Sequence, residues 1–188
     1  MQHDSTTRWL HGALALGVSF QLLVSLVMEA PEPGKIVGGW AAIAFEAHQT
    51  GGLVVAALLA GHWLWTLSRH VADGLPHLFP WFSRARLGAI VTELKGFLKL
   101  RLSDEPGPLA GAIHGLGLLL VSTMAATGVT LYFGMAENGA APPTVEAVKE
   151  IHGFLATFMW LFLGGHAGMA VLHQWLGHRT LARMFTLK

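Results

Sequence analysis

Long apolar stretches alternate with short polar connections along this chain. Four of them, residues 9–28, 47–68, 106–136 and 151–178, contain no Asp, Glu, Lys or Arg. A helix crosses the roughly 30 Å hydrocarbon core of a bilayer with about 20 apolar residues, so each stretch is long enough. Within lipid the backbone has no water to bond and must satisfy itself as helix. The pattern therefore predicts an all-α membrane protein, a four-transmembrane-helix antiparallel bundle forming a single domain over residues 1–188. The first stretch, behind Arg8, also has the look of a secretory signal peptide. Asp4 offsets that charge, the run is long, His11 lies inside it and Met28-Glu29-Ala30 is a poor cleavage site, which favours a retained helix.

The connections set orientation. Ten of the twelve lysines and arginines precede the first stretch, lie between the second and third, or follow the fourth; only Lys35 and Lys149 fall in the other two connections. The positive-inside rule then places both termini in the cytoplasm. In the long inner connection, Leu87, Ile90, Val91, Leu94, Phe97 and Leu98 recur at helical spacing, with Arg86, Glu93, Lys95 and Lys99 mostly elsewhere. That predicts an amphipathic helix over 84–102, resting on the lipid of the inner leaflet, exposed as a solvated linker, or docking a partner. Pro76, Pro80, Pro106 and Pro108 bracket it as breakers.

Composition narrows the chemistry. Only 12% of the residues are charged against 53% hydrophobic, too few charges to coat a soluble globule of 188 residues. There is no cysteine, which excludes disulfides, iron–sulfur clusters, cysteine-ligated zinc and thioether-bound haem. A net charge of +1 gives no reason to expect nucleic acid as a partner. No nucleotide-binding loop, nucleophile triad or zinc-hydrolase signature is present. Eleven histidines stand out instead.

His48 and His62, and again His152 and His166, are fourteen residues apart. Fourteen residues at about 100° each return to within roughly 40° of the starting direction and advance about 21 Å, so each pair shares a helix face at two depths. Because consecutive helices are antiparallel, His48 and His152 fall at an outer level, and His62 and His166 at an inner one. His11 and His114, near the inner ends of the first and third stretches, join the inner level. Two layers of imidazoles from facing helices are what two haems stacked across a bundle require. Imidazole is neutral, tolerates burial, and binds iron through one ring nitrogen while the other donates to the protein. Gly12, Gly51, Gly52, Gly115, Gly153 and Gly165 beside these histidines would admit a flat macrocycle. His3, His70, His77, His173 and His178 read as interfacial or hydrogen-bonding residues. For the inner partner of His166, His62 has the symmetric spacing and His11 the right depth.

The chain resembles the prokaryotic cytochrome b561 family, which is itself similar to the membrane cytochrome b subunits of nickel–iron hydrogenases and formate dehydrogenases. The residues that carry the resemblance are Arg8-Trp9-Leu10-His11, His48 followed by Gly51 and Gly52, His114 with Gly128, the stretch 152–166 followed by His173, and Leu181-Ala182-Arg183-Met184. The resemblance implies two haem b groups, the outer held by His48 and His152 and the inner by His11 and His166; His114 reads as a residue supporting the inner ligands. His62 stands where many relatives have an arginine that meets a haem propionate. As an inner ligand it would instead resemble the pairing in the cytochrome b of quinol-oxidising bc complexes.

Two histidines per iron leave no open coordination position, so electron transfer is expected rather than oxygen chemistry. The resemblance implies a quinone as electron partner and a multi-pass protein of the bacterial inner (plasma) membrane. The first functional reading is a dihaem cytochrome passing electrons between the quinone pool and an external donor or acceptor, a quinone-linked oxidoreductase if catalytic. Some relatives are thought to oxidise superoxide. Here the outer connections carry Glu29, Glu32, Glu46, Glu137, Glu146 and Glu150 against two lysines, a balance that disfavours an anion and favours a neutral or basic redox protein. The second reading is a membrane-anchor cytochrome b subunit of a larger dehydrogenase or reductase. A third, from another class, is a haem-free, histidine-lined metal or proton transporter, for which carboxylates within the spans are missing.

Overall fold

In the computed structural model, residues 4–68, 74–98 and 107–177 are described. Every regular element among them is helical. In chain order these are α1 (Ser5–Ser25), α2 (Gly39–Leu67), α3 (Gly74–Leu78), a 3-10 turn (Pro80–Phe82), α4 (Arg84–Leu98), α5 (Pro108–Gly134) and α6 (Pro143–Trp175).

Each apolar stretch forms one long helix. α6 starts at Pro143, about two turns before its apolar run, because a proline in the first turn and Glu146 near the N-terminus both favour a helix start. α2, α5 and α6 are long and apolar enough to cross a membrane. α1 has 21 residues but is less apolar, diluted by Arg8, His11, Gln21 and several Ser and Thr. Length and composition thus mark three spans where the stretches predict four.

α1 opens on Asp4, whose carboxylate accepts from the amide and the hydroxyl of Thr7, both at 2.8 Å. These bonds satisfy an orphan donor of the first turn. Slight burial pushes the Asp4 carboxyl up, but the hydrogen bonds from Thr7 outweigh it and hold the group below its ordinary range.

α1 packs on α2, α2 on α5 and α5 on α6, and α6 closes back on α1 through a much thinner contact. Cross-helix pairs fix the antiparallel sense. Trp65 at the end of α2 donates to Thr7 at the start of α1 (3.0 Å), and Gly17 lies under Val55. Phe162 packs on Gly117, His152 on Gly128 and Val145 on Gly134, so α6 descends as α5 rises. The Trp63 indole donates to Ser122 (2.9 Å), whose own hydroxyl donates to the Leu118 carbonyl (2.7 Å). Few side chains are fully covered: Leu22, Val55, Leu59, Ala112, Leu118 and Met159 form the buried apolar core. Met159 is the one buried residue of α6.

Residues 74–82 fold back onto α2 and α5, at the end of the bundle where α5 begins. The backbone carbonyls of His77 and Leu78 lie directly on Gly111 and Gly115 of α5, an approach that any side chain at those positions would block. Phe79 stacks on Trp63, with centroids 6.2 Å and planes 7° apart, and Pro80 is fully buried. α4 matches the predicted amphipathic helix over its described length; residues 99–102 of that prediction lie outside the described residues. Its Glu93 carboxylate accepts from the Leu109 amide (3.0 Å), capping the start of α5. Leu87, Val91 and Leu94 on the same helix remain 41–49% exposed.

Candidate haem-binding histidine clusters

The packing brings the histidines together at two levels. At the first, His48 of α2 faces His152 of α6, with ring centroids 6.3 Å and planes 89° apart. At the second, His11 of α1 lies 6.1 Å from His166 of α6, with planes 50° apart. His114 of α5 joins the second level, 6.3 Å from His11 and 5.0 Å from His166. One ring nitrogen from each of these three lies within 4.8 Å of the others. Both levels share α6, where His152 and His166 are separated by about 21 Å of continuous helix.

The spacing suits a metal held between rings. At about 2.0 Å per metal–imidazole bond, two nitrogens on opposite sides of one metal are about 4 Å apart and the ring centroids roughly 6 Å. His48 with His152 meets that distance, and so does His11 with His166. The 5.0 Å between His114 and His166 is too short for opposed rings on one metal.

Hydrogen bonds determine which nitrogen each ring offers. Thr127 of α5 places its hydroxyl 2.9 Å from the Thr123 carbonyl and 3.0 Å from that of Met124, both pure acceptors. With its proton on one of them, the oxygen can accept from His152 Nδ1 at 2.8 Å, the tautomer that leaves Nε2 free of a proton. His114 Nδ1 donates to the Ala110 carbonyl one turn back (2.7 Å), with the same result. Gln21 of α1 reaches His48 from the far side. In the orientation that satisfies both ends of the amide, its nitrogen donates to the His48 carbonyl (3.0 Å) and to Nδ1 (2.9 Å), and its oxygen accepts from the Gly52 amide (2.9 Å). A metal on His48 Nε2 requires a proton on Nδ1, and the amide must then turn its oxygen to that ring.

Of the histidines singled out in the sequence, the structure gathers His11, His48, His114, His152 and His166. His62 stays outside both groups, with Nδ1 3.2 Å from the Thr66 hydroxyl on its own helix. His114 stands with His11 and His166 in the second group. His3, His70, His178 and the 181–184 tail lie outside the described residues. The glycines divide. Gly51 is filled by Gln21 and Phe20, and Gly115 by Leu78 and Trp81, so those two serve helix and loop packing. At Gly12, Gly153 and Gly165 a Cβ would meet nothing within 4 Å, which leaves the chain's own atoms clear of a planar group there. Thr127 and Gln21 were not legible as site residues. Each is a lone polar side chain on a different helix from the histidine it serves.

Apolar helices around clustered imidazoles fit a membrane b-type cytochrome, the class to which the comparison with known families also leads. The sequence profile of the family described as prokaryotic cytochrome b561 matches residues 2–187, and the chain belongs to that family. No curated protein and no solved structure matches it.

Proposed function

We propose that this protein is a dihaem cytochrome of the bacterial inner membrane that passes electrons between the quinone pool and a partner outside the membrane. The observation that supports it most is the presence of two imidazole pairs, 6.3 and 6.1 Å between centroids, on opposite halves of one bundle. In this reading α1 is the fourth span and both termini are cytoplasmic, with Lys35 and Lys149 on the outside.

His48 and His152 would hold the outer haem and His11 and His166 the inner one, each haem supplying a one-electron ferric–ferrous couple. Iron with two axial imidazoles has no free position, which restricts the chain to electron transfer. Thr127 and the Ala110 carbonyl keep His152 and His114 in the tautomer with an open Nε2. His114, beside the inner pair, is left to contact the ring system or its substituents; His62 has the same task open to it. Levels about 21 Å apart span much of the hydrocarbon thickness. A charge moved across the full membrane works with or against about 2.3 kcal/mol per 100 mV of potential, so the favoured direction depends on energisation.

The outer partner is neutral or basic in this reading. Both outer lysines are already engaged with glutamates, Lys35 with Glu29 and Lys149 with Glu146 at 4.0 Å. Glu32, Glu137 and Glu150 add further negative charge there. A superoxide-oxidising role would have to overcome that field.

The test is a reduced-minus-oxidised spectrum of the purified full-length protein with haem quantified per chain. Two b-type haems support the proposal, and one haem or none overturns it. Because three clustered imidazoles also suit a divalent cation, a colourless protein that binds zinc would revive the transporter reading.

A further inference from the structure

We propose that Thr127 is the positioning residue of the outer site: by accepting from His152 Nδ1 it fixes how that ring meets the metal and lowers the outer haem's potential. The inference rests on the dihaem reading above and adds a residue on a helix that supplies no outer ligand.

The geometry leaves the hydroxyl little choice. Its oxygen lies 2.9 and 3.0 Å from two backbone carbonyls of its own helix and 2.8 Å from His152 Nδ1. The carbonyls can only accept, and a hydroxyl that donates to either turns a lone pair to the ring, which is the arrangement this proposal takes. Gly128, next in sequence, lies against the His152 Cε1, with 3.4 Å to where a Cβ would sit, so the ring is held on one side by the hydrogen bond and on another by α5 itself. An imidazole whose second nitrogen donates to the protein is a more basic ligand. A more basic ligand favours the ferric state, so the reduction potential falls. Thr127 does this from α5 while Gln21 approaches His48 from α1, so all four long helices meet at the outer pair.

The experiment is a redox titration of the full chain as wild type, Thr127→Val and Thr127→Ser, with His48→Ala identifying which step is the outer haem. The valine variant keeps the shape and removes the hydroxyl, leaving the Met124 carbonyl as the other acceptor beside the ring. Its outer midpoint is expected to rise while the inner stays put, and serine should return it to the wild-type value. Loss of one haem from the valine variant, with both retained in the serine variant, supports the same contact. Unchanged midpoints in the valine variant overturn the proposal, as does an equal shift, or loss of a haem, in both variants. Should the purified wild type contain no haem, the dihaem reading fails, and ¹⁵N spectra of His152 in that protein decide the contact alone. The Nδ1–H tautomer in wild type and serine variant but not in valine upholds it; the Nε2–H tautomer in wild type refutes it.

Discussion

His48 and His152 meet edge to face, their ring planes 89° apart, whereas His11 and His166 are inclined by 50°. Perpendicular axial imidazoles leave two iron d orbitals nearly equal in energy, and the low-spin ferric signal becomes strongly anisotropic. Electron paramagnetic resonance of the oxidised protein should therefore show a more anisotropic signal from the outer haem than from the inner. Elimination of the more anisotropic one by His48→Ala would assign it.

The inner ligands can be separated by substitution. His11→Ala should reduce haem content from two to one per chain, because its ring lies 6.1 Å from His166, the spacing of opposed ligands, whereas His114 at 5.0 Å is too near. His62→Ala should retain both, since that ring bonds to Thr66 on its own helix. His114→Ala should also retain both while moving the inner midpoint. Pyridine haemochrome quantification separates His11→Ala from the other two, and a redox titration separates those.

Gly115 lets the Leu78 carbonyl rest on α5, so Gly115→Val should displace the segment between α2 and α4. Overpacking of this kind costs about 1–3 kcal/mol. The expected result is a lower melting temperature and faster proteolysis between residues 75 and 82, with the outer haem's spectrum unchanged.

Asp4→Ala removes the cap of α1 at a cost of about 1 kcal/mol. Because the Asp4 carboxyl is held below its ordinary 3.8, its contribution is complete above that value and fades as pH falls through the lower, folded one. Amide exchange in the first turn of α1 should accelerate in the variant at neutral pH, and the difference from wild type should vanish in acid.

With the proposed orientation, Glu29, Glu32, Glu137, Glu146 and Glu150 lie on the outer side and would steer a basic partner electrostatically. Reduction by a small basic cytochrome should slow as ionic strength rises, because screening shortens the reach of exposed charges to about 10 Å at 0.1 M salt. Charge reversal at Glu137 should weaken that dependence.

Much of this was already written in the order of residues. Uncharged runs long enough for a bilayer give helices wherever water is absent, and a fourteen-residue interval returns a side chain to the same face, so the two depths of histidine on α2 and α6 follow from periodicity alone. The likeness to a known family likewise attaches to His11, His48, His152 and His166 in the sequence itself. Other features required the fold. That His114 joins His11 and His166, and His62 does not, depends on how α5 and α2 rotate about their axes, which is decided by close contacts such as Gly17 under Val55 and Gly117 under Phe162. Thr127 and Gln21 reach their histidines across helix boundaries, 25 residues apart in one case. A periodicity describes one helix at a time; the hydrogen bonds that choose a ring's tautomer arise between helices, and only their packing could decide them.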